Sequence, residues 1–357
     1  MLANHGSAID AEIMRKALTA VTSLFAVLAT FSLVVGPIWE QLGRQRAIRD
    51  FPAPGHAIDI GGRQIQMDCR GVGTPTVVFD SGLGFFGSLS WAKVQDEVAK
   101  FTRACAYSRA GIIWSDDKEG PHDGEGVARD LHAALAAAGE SGPFVMTGHS
   151  MGGPYITTYT KLYGDEVSGL VYVDASHPDQ FDEAALGKSL EAAMLVKVAK
   201  IAQGLSWTGI VRLGAAVLGG DAPNAPREAL KISNAFASKS LGPVLTEWDA
   251  IPATLDAVRA FRQLGARPIA VLTRMVPTPE PTSNCAVKGK GDKLDRVWLE
   301  LQNDIASWSV RSTHRIVCDA GHNIQFDRPD AVVAAILEVV SEVRSDPPSR
   351  APDASLH

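Results

Sequence analysis

The chain has no run of lysine or arginine and no basic excess. Its 34 Lys and Arg stand against 40 Asp and Glu, a formal net charge of −6. A surface that holds a phosphate backbone needs the opposite balance, so nucleic acid is not an expected partner. Cysteine is scarce, at four in 357 residues. Neither the cysteines nor the histidines fall at metal-ligand spacing. No Gly-x-Gly-x-x-Gly follows a strand-like run, which removes the usual dinucleotide cradle. No internal repeat is present, which argues against a solenoid or a propeller. The expectation is a protein with neither metal nor nucleotide cofactor.

What is present is apolar. Hydrophobic residues make up 46% of the chain and charged residues 21%. That balance predicts a globular core, and the length suits one large α/β domain with an insertion. The first fifty residues differ. From Ala17 to Trp39, ALTAVTSLFAVLATFSLVVGPIW carries no charge. As one helix it reaches about 34 Å, against about 30 Å of bilayer core. It is longer than a signal-peptide core, and no small-x-small cleavage site follows. A transmembrane anchor over 17–39 is therefore expected in preference to a cleaved signal or a buried soluble helix. Residues 1–16 read as a tail and 40–54 as a polar linker. Arg15 and Lys16 precede the run, and Arg44, Arg46 and Arg49 follow it, so charge does not decide the orientation.

Cys69 and Cys105 lie at or near two predicted strands that could be neighbours, and Cys285 and Cys318 flank two later ones. Paired cysteines fit an oxidising compartment; four buried thiols are the alternative. The combined expectation is an anchor in the cell (inner) membrane, with the folded domain outside the cytoplasm. Nothing in the sequence indicates the oligomeric state.

From residue 55 to 345, strand-like runs alternate with helical ones. PTVVFD, TRACAYS, PFVMTGHS, GLVYVDAS, PIAVLTR and HRIVCDAGH are short, apolar and β-branched. EGVARDLHAALAAAG, LDRVWLELQNDIASW and PDAVVAAILEVVSEV have helical spacing. Such alternation predicts a mostly parallel sheet with helices on both faces. Residues 178–262 lack a strand signal and sit between two core strands, so they read as an inserted helical cap. Residues 346–357 read as a disordered tail.

PFVMTGHS runs straight into MGGPY, placing Gly148-His149-Ser150-Met151-Gly152 at a strand–helix junction. A turn that tight leaves no room for side chains two residues either side of the serine. The strain it imposes holds the hydroxyl out at the top of the sheet. The pattern Gly-x-Ser-x-Gly arises often by chance; at such a junction it is specific. A serine needs a base, and His322 follows the last strand and precedes the last helix. A lone loop histidine is ordinarily unremarkable, but this position matches the serine's needs.

The acid that orients the histidine is less defined. MVPTPEPTSNC after PIAVLTR holds no aspartate. Asp174, at the end of GLVYVD, would emerge at the same sheet edge as Ser150. Asp292 and Asp295 are the alternatives, with helix N-terminal stabilisation as their plain role. For the oxyanion, the N–H of Met151 is one donor. The N–H of Leu83, in the glycine-rich SGLGFFG loop beside Gly82 and Gly84, is the other; a flexible turn is its plainer reading. His149 reads as structural support, and His177 as either a pocket residue or an ordinary loop histidine.

SGLG, YSRAGIIWSD (Tyr107–Asp116), GHSMGG, VDASHPDQ and GHNIQFDRP together resemble the α/β-hydrolase fold superfamily. The resemblance implies an eight-stranded, mostly parallel sheet with the second strand antiparallel, and a Ser-His-acid triad. Ser108 stands where the family more often has aspartate. The missing acid after PIAVLTR resembles members that carry it one strand earlier, which favours Asp174. Relatives resembling epoxide hydrolases and haloalkane dehalogenases use aspartate at the elbow, so serine here implies acyl transfer. The expectation is a carboxylesterase- or lipase-like enzyme acting on a small to medium apolar acyl substrate through Ser150, His322 and Asp174. A carbon–carbon bond hydrolase, a cofactor-free haloperoxidase-like enzyme and a catalytically silent binding scaffold are the rivals.

Overall fold

Strands built mostly of apolar and β-branched residues have no wet face to offer, and they form the middle of the sheet. The computed structural model describes residues 4–183, 190–218, 222–275 and 292–346. Its strands are β1 (His56–Asp59), β2 (Gln64–Arg70), β3 (Thr76–Asp80), β4 (Ala104–Tyr107), β5 (Phe144–His149), β6 (Val167–Val173), β7 (Ile269–Met275) and β8 (Ser312–Cys318). They form one eight-stranded sheet in the order β1-β2-β4-β3-β5-β6-β7-β8. β2 is antiparallel to β1 and to β4. The pairings from β4·β3 across to β7·β8 are parallel. Every residue of β3, β4 and β5 is buried, as a sheet covered on both faces requires.

α1 (Asn4–Thr30) and α2 (Gly36–Asp50) precede the sheet. α3 (Gln95–Ala99), α4 (Gly124–Ala137) and α5 (Gly152–Leu162) alternate with the central strands. α6 (Gln180–Glu183), α7 (Leu190–Gly204), α8 (Ile210–Leu218) and α9 (Arg227–Arg259) lie between β6 and β7, within the expected cap. α10 (Asp292–Ser307), α11 (Ile324–Asp327) and α12 (Pro329–Ser345) complete the alternation. The strand period of two divides the core. Val78 packs with Leu131 and Leu135 of α4 and Ile156 and Tyr159 of α5. Its neighbours Val77 and Phe79 pack on the other side with Val98 of α3 and Val332, Ile336 and Val339 of α12.

The N-terminal expectation is corrected. The apolar run 17–39 is not one helix. A π-helical turn at Phe31–Val35 interrupts it, and Pro37 stands in the first turn of α2. The apolar part of α1 from Ala17 reaches about 21 Å, short of the bilayer core. Among the described residues no helix is long and apolar enough to cross a membrane. Residues 40–54, read as a linker, are helical to Asp50 and fixed to the cap. Glu40, only 3% exposed, accepts hydrogen bonds from Arg44 at 2.6 Å, Arg212 at 2.9 Å and Ser238 at 2.5 Å. Burial alone would raise its pKa; these donors outweigh burial and hold the carboxyl below its ordinary range. The tail read over 1–16 is helical from Asn4. Beyond Asp346, the tail read over 346–357 lies outside the described residues.

Cys69 and Cys105 face each other across β2 and β4 and form a disulfide. Cys318 is also disulfide-bonded. Cys285 lies outside the described residues.

Candidate active site

Ser150 follows β5 directly and α5 starts two residues later. Its φ is +51°, a left-handed conformation that non-glycine residues seldom adopt. A Cβ on Gly148 would stand 2.5 Å from the Gly152 carbonyl, and one on Gly152 would stand 2.4 Å from the Asp80 carbonyl oxygen. The glycines are therefore dictated by backbone crowding beneath the turn.

His322, after β8, places Nε2 3.0 Å from Ser150 Oγ and Nδ1 2.6 Å from Asp174 Oδ2. Asp174 follows β6 and is fully buried, with φ +43°. All three side chains thus leave the sheet at strand C-terminal ends, where α/β folds place their ligands. An Nδ1–H donating to Asp174 leaves Nε2 free to accept the serine proton. Burial pushes the Asp174 pKa up. The His322 hydrogen bond, the charges of His322 and Arg274 and the Trp298 hydrogen bond overcome burial and hold the carboxyl below its usual range. The Trp298 indole N–H donates to Oδ1 at 2.8 Å. The Arg274 guanidinium donates to Oδ2.

Of the alternative acids, Asp295 is exposed on α10, and the side chain of Asp292 lies outside the described residues. What α10 brings to the site is Trp298. Sequence reasoning missed it, and missed Arg274, because a tryptophan at an apolar helical position and an arginine ending a strand read as packing and solvation.

His149 does not face the nucleophile. It is buried, and its Nε2 meets the His322 carbonyl oxygen at 2.8 Å. Burial, reinforced by neighbouring His322, lowers its pKa to about 3, so the ring is neutral and supports the His322 backbone. His177 is buried too, but bonds Asp304 at 2.8 Å and takes no part in the constellation.

The loop after β3 lies against the serine. A Cβ on Gly82 would be 3.0 Å from Ser150 Cβ and 2.9 Å from His149 Nδ1. Leu83 is the next residue. Met151 stands at the N-cap of α5, where helix N–H groups and the dipole favour negative charge. Val127, Met151 and Tyr155 cluster with Ile251 and Leu255 of α9, and Leu83, Phe181 and Trp248 pack against them. Phe86 and Phe326 meet edge to face at 5.6 Å. The cap therefore lays an apolar wall beside the loop after β3. Among the described residues, Cys69, Cys105 and Glu140 bring metal-binding side-chain types together. The two sulfurs are bonded to each other and offer no thiolate.

Residues 77–335 match the family described as the alpha/beta hydrolase family. An uncharacterized protein of Schizosaccharomyces pombe, C23C11.06c, is 41% identical over 75 residues, which are 21% of this chain and 14% of that protein. The first three curated relatives are covered over 14%, 18% and 43% of their own lengths. Among solved structures, a thermophilic esterase from Thermogutta terrifontis superposes with a TM-score of 0.57 at 21% identity. The match covers 79% of this chain and 94% of that one. A putative epoxide hydrolase from Pseudomonas aeruginosa superposes with a TM-score of 0.59 at 17% identity, over 83% and 98%. At such identities the likeness is one of fold.

Proposed function

Because this chain belongs to the alpha/beta hydrolase family, we propose that it is a serine hydrolase that cleaves carboxylic esters of small to medium apolar acyl groups. One observation carries this reading: the continuous relay from Asp174 Oδ2 through His322 to Ser150 Oγ, at 2.6 and 3.0 Å. Ser150 attacks the acyl carbonyl while His322 Nε2 takes its proton. His322 then returns that proton to the leaving alcohol. Water, deprotonated by the same nitrogen, attacks the acyl-enzyme and releases the acid. Asp174 keeps the imidazole in the working tautomer. The N–H groups of Leu83 and Met151 bind the oxyanion, each donor contributing about 3 kcal/mol to lowering the barrier. The aromatic and aliphatic wall from α9 supports an apolar acyl group.

Two features support a site of action outside the cytoplasm and at a lipid surface. The Cys69–Cys105 disulfide favours an oxidising compartment. Leu18, Val21, Leu24 and Phe25 on α1, Leu195, Val198 and Ile201 on α7, and Ile210, Leu213 and Val217 on α8 are all exposed. Exposed apolar helices of this kind support interfacial docking rather than spanning. Flotation of the full chain with phosphatidylglycerol vesicles checks this, and protein that stays in the dense fraction counts against it.

The catalytic reading is tested by fluorophosphonate labelling of the full chain beside Ser150→Ala and His322→Ala. Labelling lost in both variants, with p-nitrophenyl acyl esters hydrolysed by the wild type, supports it. A folded wild type that neither labels nor turns over esters, while cleaving an epoxide or a vinylogous diketone, overturns it.

A further inference from the structure

Arg109, just beyond β4, is buried at 3% exposure with its charge. Its Nε and Nη2 grip the Glu247 carboxylate of cap helix α9, both at 2.8 Å. Its Nη1 donates to Asp80 Oδ1 at 2.8 Å, to the Ser81 carbonyl oxygen at 2.7 Å and to Ser81 Oγ at 3.0 Å. Its Nη2 also donates to the Gly82 carbonyl oxygen at 3.0 Å. The guanidinium lies over the Tyr155 ring, 4.8 Å from its centre, and Tyr107 closes the far side of Asp80 at 2.7 Å.

Such a cluster is a poor way to gain stability. Desolvating one cation and two carboxylates costs about as much as their attraction returns, and apolar residues of equal volume do as well. Burial raises the pKa of Asp80 to about 6 against the pull of Arg109, with a smaller contribution from Glu247. The position of the cluster indicates its use. The Gly82 carbonyl and the Leu83 N–H belong to one peptide group. A planar trans peptide points them in opposite directions. Holding the Gly82 oxygen on Arg109 therefore turns the Leu83 N–H the other way. Gly82 itself already lies against Ser150.

We propose that Arg109 is a positioning residue that sets the Leu83 N–H as an oxyanion donor, and that Glu247 couples this setting to the seating of the cap. The proposal rests on the serine hydrolase reading above. A cap that lifts away takes Glu247 with it and loosens the guanidinium on the Ser81 and Gly82 carbonyls. Oxyanion stabilisation is then complete only with the cap in place.

The test uses the full chain, with Arg109→Lys, which keeps the charge but loses the fork, and Glu247→Gln, which keeps the shape but loses the charge. Each is assayed for kcat and KM on a p-nitrophenyl acyl ester. Each is also titrated with a trifluoromethyl ketone, whose serine adduct carries an oxyanion. The expected result for Arg109→Lys is kcat lower by about 100-fold, the loss typical of one missing oxyanion donor. Ketone affinity should weaken in parallel while KM stays within about twofold. Glu247→Gln should show the same pattern at smaller amplitude, about tenfold. If Arg109→Lys does not fold, Glu247→Gln decides alone. Variants with a lower Tm but unchanged kcat and ketone affinity mark a structural strut and overturn the proposal, as does a rise in KM alone. A wild type that reacts with neither fluorophosphonate nor the ketone overturns the hydrolase reading instead.

Discussion

The Trp298 indole on α10 and the Asp174 carboxylate after β6 meet at 2.8 Å, on the oxygen that His322 does not use. The sheet thus supplies the carboxylate and a neighbouring helix fixes how it faces. Trp298→Phe removes one donor to a buried carboxylate, an interaction worth about 1.5–3 kcal/mol. The expected outcome is a lower kcat at unchanged KM. The Asp174 pKa should rise, since a hydrogen bond to the charged form is lost, so acid inactivation should begin at a higher pH than in the wild type. Activity measured against pH for both proteins checks this.

Asp174→Asn should keep the fold and lower kcat by about 10⁴-fold, because the amide no longer holds the required tautomer. Asp295→Asn and Asp292→Asn should stay within about twofold of the wild type. Steady-state kinetics on one ester distinguish the three.

The pH dependence of stability follows from buried groups. His149 has a folded pKa depressed to about 3 by burial. The unfolded chain therefore takes up more protons than the folded one between about pH 6.5 and 3, and stability falls on acidification across that window. The limiting slope is about 1.4 kcal/mol per pH unit. Asp174, held low against its burial chiefly by the His322 hydrogen bond, adds a loss below the unfolded carboxylate value. Asp80, raised to about 6, works in the opposite sense between about pH 6 and 4. His149→Gln keeps a donor for the His322 carbonyl and cannot be protonated. Relative to the wild type, its urea midpoint should gain steadily as the pH drops from 6.5 to 4.

The Cys69–Cys105 disulfide closes a loop of 36 residues. Constraining an unfolded loop of that size stabilises by about 4 kcal/mol. Replacing both cysteines by alanine should lower the urea midpoint accordingly. Ester hydrolysis at 25 °C should be kept, because the bond ties β2 to β4 and touches no residue of the relay.

Much of the site is local in sequence and could be read there. The glycines flanking Ser150 and the strand-to-loop setting of His322 express turn geometry within a few residues. Asp174 stands beside Asp292 and Asp295 as a candidate in the sequence because its partner lies 148 positions away, and no local pattern encodes that contact. The N-terminal segment is ambiguous in sequence for a related reason. Apolar side chains look alike in an α-helix and in the π-helical turn at Phe31–Val35. The residue that fixes α2, Glu40, finds Arg212 172 positions later. Arg109 gives no signal in the sequence because an arginine beside a strand ordinarily reads as surface, and its four partners, Asp80, Ser81, Gly82 and Glu247, meet around it only in the fold.

β6 and β7 are sheet neighbours, yet the chain travels from Val173 to Ile269 between them. The entropy of closing such a detour grows only with the logarithm of its length, and doubling it adds about 0.6 kcal/mol. The strands scarcely register how long the excursion is. Mutation can therefore lengthen, trim or replace α6–α8 while the register beneath stays fixed, whereas α9 is held by Glu247 on Arg109 and by Val258 in the core. The sheet is free to change slowly and the cap quickly, so that new substrate ranges can arise without the fold being invented again.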